Sequence, residues 1–482
     1  MKQIASLHSR PQAKTAALLS LCLALAAAYP SAAVAQSNED LLKELRALRE
    51  RVGQLEEKLK AVEAKPATPA PSSAQWGMTQ QQVQDFNRIA VKTEALEDAV
   101  EFQGLKQLKI SGYADPTFIY NKAQNRAGVQ FLNRVSDDGY NYDNSYMGVA
   151  SLDFQKEMDG GTKWRLTLMP NRGSGTISDS GGFSIVHEAS VSIPLGDLQT
   201  RFIAGQIPDW SGYEYVQPTT TKLVTRGLLL DFTEPSAYTA AGFDITRGKW
   251  QMKAVLGNMN ATKTPQGSRS PMLAYRVDYA KGEFNGFGFA GVHGKVANFS
   301  GNVLDGNGNV ISQPNSHLDL FEVDGYFIRG DFTAQGQIGF GRQKNAAIST
   351  AEDGSLQDAQ WWGVSGLLAY KFIPRWEAVA RFDYIQNNKN GGGLLGYSSA
   401  DGRNGLGPDP ALNCSAGYSA DCNKGANRWA LALGFNYLFN SNTTIKAEYR
   451  LDQADLPVFY DVSSGGYTKT NHLLGTSVVV SF

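Results

Sequence analysis

The segment His472-Leu-Leu-Gly-Thr-Ser-Val-Val-Val-Ser-Phe482 constrains the fold of this chain more than any other. Side chains along a strand alternate between its two faces. Leu474, Thr476, Val478, Val480 and Phe482 therefore share one face, and Gly475, Ser477, Val479 and Ser481 the other. One face is apolar and ends on an aromatic ring; the other is small and polar. Such a strand suits a wall with lipid on one side and water on the other.

Other segments repeat the pattern. In 428–440, Trp429, Leu431, Leu433, Phe435, Tyr437 and Phe439 share a face opposite Ala430, Ala432, Gly434 and Asn436. In 444–452, Ile445, Ala447, Tyr449 and Leu451 oppose Lys446, Glu448, Arg450 and Asp452. In 163–171, Trp164, Leu166 and Leu168 alternate with Lys163, Arg165 and Thr167. Aromatic residues at strand ends match interfacial girdles. Connections alternate between short turns (Asp159-Gly-Gly161, Leu195-Gly-Asp197, Lys281-Gly-Glu283, Arg329-Gly-Asp331, Ile373-Pro-Arg375, Asn440-Ser-Asn442) and long ones, roughly 121–145, 172–184, 206–226, 297–316, 343–357, 387–427 and 453–471. Short turns at one end and long loops at the other are the rule of transmembrane barrels. The fold expected over 105–482 is an all-β, antiparallel transmembrane barrel. A first count gives about seventeen strands, but a single-chain bacterial barrel takes an even number. Reading Leu228–Ile245 as one strand entry plus one strand gives sixteen; eighteen follows if 213–224 is itself a strand.

The start of the chain agrees with that destination. Lys2, Arg10 and Lys14 precede an apolar run from Ala16 to Ala28, and Ala33-Val34-Ala35 offers a small-residue cleavage site. Residues 1–35 read as a secretory signal peptide. Its removal takes three basic side chains and no acidic one, so the formal net charge passes from −1 to −4. That near-neutral balance argues against a nucleic-acid partner. Within 36–65, Leu41, Leu45, Leu48, Val52, Leu55, Leu59 and Val62 recur at alternating spacings of four and three. This heptad seam, with the opposite-sign pairs Glu44–Arg49, Arg51–Glu56 and Lys58–Glu63, predicts a parallel coiled coil and hence an oligomer. Residues 66–78 form a Pro/Ala/Ser linker. A second helical pattern, 79–103, places Val83, Phe86, Ile89, Leu96 and Val100 near one face.

Two cysteines follow the signal, Cys414 and Cys422, in a Gly/Asn/Asp-rich stretch; an oxidising compartment favours a disulfide between them. The histidines His187, His293, His317 and His472 show no metal-ligand spacing, so no metal is expected. Asp305-Gly-Asn-Gly-Asn309 lacks the later acidic ligand of a calcium loop. Without a nucleophile-elbow motif or any cofactor motif, the chain is expected to be no enzyme and to need no cofactor.

This order of signal, heptads, Pro-rich linker, first strand Leu108-Lys-Ile-Ser-Gly-Tyr113 and last residue Phe482 resembles the trimeric Gram-negative outer-membrane porins with an N-terminal periplasmic coiled coil, the DcaP-like and OprP/OprO-like porins. The resemblance implies an outer-membrane homotrimer, embedded in lipid and lipopolysaccharide and delivered by the outer-membrane assembly machinery. It implies passive diffusion of small hydrophilic solutes, with organic anions such as dicarboxylates favoured. The loop 206–226 departs from the arginine-rich loop of phosphate porins. It carries Lys222 and Arg226 against Asp209 and Glu214, with Trp210 among its aromatics. We expect it to fold inward as the constriction.

With apolar residues outward, the expected lumen-facing bases are Arg165, Arg201, Lys253, Arg276, Arg381, Lys446 and Arg450. The expected acids are Asp153, Glu188, Asp278, Glu377, Asp383, Glu448 and Asp452. Seven of each sign permit opposed acidic and basic walls and a transverse field across the pore.

Overall fold

The computed structural model describes residues 80–102, 106–131, 147–169, 185–259, 271–282, 284–297, 315–395, 405–412, 414 and 420–482. The signal, the heptads, the linker and the Asp305–Asn309 turn lie outside these residues. The chain divides into two units, Met1–Ala95 and Leu96–Phe482. Across their boundary in sequence runs helix α1 (Gln80–Phe102), matching the second helical pattern. On it Val83, Phe86, Ile89 and Val91 are exposed.

The second unit is a barrel of antiparallel strands. Their order is β1 (Leu108–Ala114), β2 (Thr117–Asn121), β3 (Arg126–Gln130), β4 (Ala150–Glu157), β5 (Lys163–Leu168), β6 (Val186–Leu195), β7 (Asp197–Pro208), a short helix α2 (Leu228–Phe232), β8 (Ala237–Arg247), β9 (Trp250–Met259), β10 (Met272–Gly282), β11 (Asn285–Ala297), β12 (Asn315–Arg329), β13 (Phe332–Gln343), β14 (Ala359–Ile373), β15 (Trp376–Gln386), β16 (Arg428–Asn440), β17 (Thr443–Ala454), β18 (Phe459–Asp461), β19 (Gly466–Thr468) and β20 (Thr470–Ser481). Among the described residues eighteen strands join in one sheet, and β18 and β19 form a separate small hairpin. From β4 to β17 each strand pairs with the next, and β20 joins β17 to β1 and closes the sheet. Sixteen staves result, because β2 prolongs β1 past Asp115-Pro116 and β3 pairs only with β2. Proline has no N–H to give a ladder, so the first stave breaks there. Phe482 closes the seam through its N–H to Gly112 O (3.0 Å) and through Gly112 N–H to its own carbonyl (3.1 Å). A Cβ on Gly112 would lie 2.9 Å from the Phe482 ring, so this position needs glycine.

The alternation places side chains as the sequence suggests. On β20, Leu474, Val478 and Val480 face out and Leu473, Ser477 and Val479 are buried. Aromatic pairs ring both ends of the outer surface. At the short-turn end stand Trp250–Tyr279 and Trp376–Tyr437, each with ring centres 4.8 Å apart. At the long-loop end stand Trp362–Tyr384 (5.4 Å) and Phe382–Trp429 (6.2 Å). Short turns use left-handed glycines where two residues must reverse the chain, as at Gly330 (φ 58°).

One reading of strand content is corrected. The stretch 228–245 does not begin with a strand entry. Leu228, Leu229 and Phe232 are spaced for one helical face and are buried. Thr233 then caps that turn, donating its N–H to Leu229 O at 2.8 Å. The sixth stave is β8, which begins five residues after the end of α2.

Candidate functional site

The connection 209–236, between β7 and β8, runs inside the barrel. The expected constriction loop starts too early by three residues, since Gln206–Pro208 complete β7, and it extends ten residues further. Its entry is a tight turn: Asp209 accepts from Ser211 N–H (2.9 Å) and Ser211 Oγ (3.0 Å). Trp210, Tyr213, Leu223, Val224, Leu228 and Leu229 are then buried. Tyr213 and Leu223 cluster with the inward residues Leu367, Ala369, Val379 and Ala432. Missing side chains on the wall admit the loop. A Cβ on Gly434 would meet Leu223 at 2.5 Å, and one on Gly363 would meet Leu229 at 3.0 Å.

Charged groups of the wall clasp the loop backbone. Glu448 accepts from the N–H groups of Val224 (2.6 Å) and Thr225 (2.8 Å) and from Thr225 Oγ1 (2.5 Å). Arg381, whose side chain is 0% exposed, donates to Glu214 (2.9 Å), Asp383 (3.0 Å) and Thr225 O (2.9 Å). Arg450 donates to Arg226 O (2.6 Å) and binds Asp452 (3.0 Å). Lys446 donates to Pro218 O and Thr221 O, each at 2.6 Å, and Lys222 of the loop meets Glu377 at 2.6 Å. Arg226 turns back on its own loop, to Val224 O at 3.0 Å. Burial pushes the Glu214 carboxyl above its ordinary range, and Arg381 acts against that rise. Such groups are costly to bury singly, and removing one partner of a buried pair costs about 3–5 kcal/mol.

The loop thus rests against β13–β17. A cavity of about 1190 Å³ lies beside it, lined by residues of β1, β4–β13 and β20 and by the loop's Trp210–Gln217. Here Arg165 stands between Asp153 (2.9 Å) and Glu188 (3.2 Å). Arg276 stands between Asp278 and Asp324, both at 2.8 Å, and also donates to Trp210 O (2.7 Å). Lys253 lies 3.9 Å from Asp244 and 5.8 Å from the centre of the Trp210 ring.

The fourteen lumen candidates therefore divide. Asp153, Arg165, Glu188, Lys253, Arg276 and Asp278 line the cavity. Glu377, Arg381, Asp383, Lys446, Glu448, Arg450 and Asp452 are buried in the network that holds the loop. Arg201 donates to Ser192 Oγ and Gly161 O towards the short turns. Opposite charges sit side by side on adjacent strands, as Asp153, Arg165 and Glu188 do, and not on facing walls. Asp244, Glu322, Asp324, Gln337 and Arg428 escaped the sequence reading. The alternation Leu318, Leu320, Glu322, Asp324 against Phe321 and Val323 carried the signal for two of them. Cys414 and Cys422 form a disulfide across a separation of eight residues.

A family model described as "Protein of unknown function (DUF3138)" matches residues 72–482. No curated protein matches the chain. Among solved structures, the chain is similar to the outer membrane channel DcaP of Acinetobacter baumannii (11% identity, TM-score 0.48, 78% of this chain and 97% of that one). It is also similar to the anion-selective porin from Comamonas acidovorans (11%, 0.46, 78% and 99%). A third is the in-vitro folded OmpT of Vibrio cholerae in trimer form (11%, 0.45, 78% and 99%).

Proposed function

The chain belongs to the DUF3138 family, and we propose that it is an outer-membrane channel for passive diffusion of small hydrophilic solutes, a transporter and not an enzyme. The observation that carries this reading is the inward loop 209–236, which narrows the barrel while leaving a charged cavity beside it. An outer surface of exposed Phe, Leu, Ile and Val between two aromatic girdles supports a bilayer setting. The heptads of 36–65 and the exposed apolar stripe of α1 support a homotrimer with the coiled coil in the periplasm.

Organic anions such as dicarboxylates are the solutes the porin resemblance implies. The cavity weighs against a strong anion preference. Its charged lining holds six carboxylates (Asp153, Glu188, Asp209, Glu214, Asp278, Asp324) and four bases (Arg165, Lys249, Lys253, Arg276). Each guanidinium is already bracketed by two carboxylates and Lys253 lies 3.9 Å from Asp244, so an entering anion meets a lining in which carboxylates outnumber bases. We infer permeation of small polar solutes with weak charge selectivity. A reversal potential under a salt gradient tests this. A value near zero or of cation sign is expected; one close to ideal anion selectivity would overturn the inference on charge while leaving the channel.

A further inference from the structure

We propose that Glu322 of the wall and Glu234 of the loop form a proton-held latch at the neck of loop 209–236, one that releases the loop as protons leave. Glu322 is 0% exposed; neither of its carboxylate oxygens has a partner within 3.5 Å, and the side chain of Gln337 on β13 is the neighbouring donor that acts on it. Glu234 is also buried. Its Oε1 accepts from Gln337 Nε2, and its Oε2 has no partner. Gln337 bridges loop and wall, because its Oε1 also accepts from Tyr213 N–H at 3.4 Å.

The surroundings offer little to neutralise two ionised glutamates. From the loop, Asp209 and Glu214 add further negative charge, and Asp324 of β12 adds more. Tyr238 of β8 directs its hydroxyl to Asp209. Arg276 of β10 is a cation that acts on Glu322, and it is engaged by Asp278 and Asp324. Opposite Glu322 in the register stands Gly339, which brings no donor side chain. Two like charges in a dry junction repel strongly. Protonated, each glutamate becomes a hydrogen-bond donor as well as an acceptor, and its burial is tolerable. Asp209 and Glu234 are the loop's two roots, so repulsion from Glu322 acts on its neck, where Trp210 and Ser211 border the cavity.

The sign follows from burial. The Glu234 carboxyl is held well above its ordinary range, first by desolvation and then by the charge of Glu322. Docking is therefore unopposed in acid. It weakens as pH rises through that raised value.

The test uses the full-length protein and two readouts. Infrared spectra at about pH 7 should show a protonated-carboxyl band in the wild type that Glu322→Gln weakens. In bilayers, the wild-type conductance should become larger and noisier as the pH is raised from about 6 to about 9, as expected when the loop is released. Glu322→Gln and Glu234→Gln should flatten that dependence. Asp358→Asn, at an exposed ion pair with Arg342 away from the neck, should keep it. Absence of the band, or a pH dependence unchanged in both Gln variants, overturns the latch. Folded protein that conducts nothing would refute the channel reading instead, and the infrared result would still decide the latch.

Discussion

Replacing Arg381 by Ala should free loop 209–236 from its wall. The guanidinium is wholly enclosed and joins Glu214 of the loop to Asp383 of β15, with a third bond to Thr225 O. Truncation leaves both carboxylates buried without their cation, at a cost of about 3–5 kcal/mol. At about 1.4 kcal/mol per factor of ten, the docked-to-free ratio of the loop falls by roughly a hundredfold to several thousandfold. A thiol reports this directly. Val224→Cys places a sulfur at a site 3% exposed, and the native Cys414–Cys422 pair is oxidised. Labelling of a buried thiol follows the local opening equilibrium, so the rate in Val224→Cys/Arg381→Ala should exceed that in Val224→Cys by roughly those factors. Rates within about threefold of each other, from protein with an unchanged heat-modifiable barrel, would refute the claim that buried ion pairs hold the loop.

Gly434→Val should push against Leu223, costing about 1–3 kcal/mol by overpacking and raising the same labelling rate. Glu448→Ala removes the acceptor of three loop donors; each charge-assisted bond is worth about 1.5–3 kcal/mol, so single-channel conductance should become noisier than after Glu448→Gln. Reducing Cys414–Cys422 should loosen the long loop 387–427 by about 2–3 kcal/mol, visible as faster proteolysis there with the barrel intact. Leu48→Lys with Leu55→Lys, at two positions of the heptad seam, should abolish detergent-stable oligomers without unfolding the barrel.

The wall was legible and the loop's bonding was not, for physical reasons. A strand between lipid and water must alternate, so the faces of β16, β17 and β20 could be read from single segments. The same rule was available for β12 and would have put Glu322 and Asp324 inside. Strand number was harder. The break at Asp115-Pro116 splits one stave into β1 and β2, and the helical spacing of Leu228, Leu229 and Phe232 resembles a buried strand when read only for hydrophobicity. Which inward charges face solute depends on where the loop lies across the barrel. Arg165 and Arg381 look alike in sequence, each on an alternating strand. The first borders the cavity at 42% side-chain exposure, and the second is sealed beneath Thr225. The glycines at 363 and 434 fix that choice, because they admit the loop on one wall, and their role appears only when the partner side chains are in place.

If loop 209–236 narrows the barrel, releasing it must change the conductance. Planar-bilayer recording of detergent-purified protein tests it most directly. The account predicts voltage-driven closure in three equal steps, and a larger, noisier conductance once Arg381→Ala releases the loop. Silence from correctly folded protein, or identical conductance in the two proteins, would contradict it.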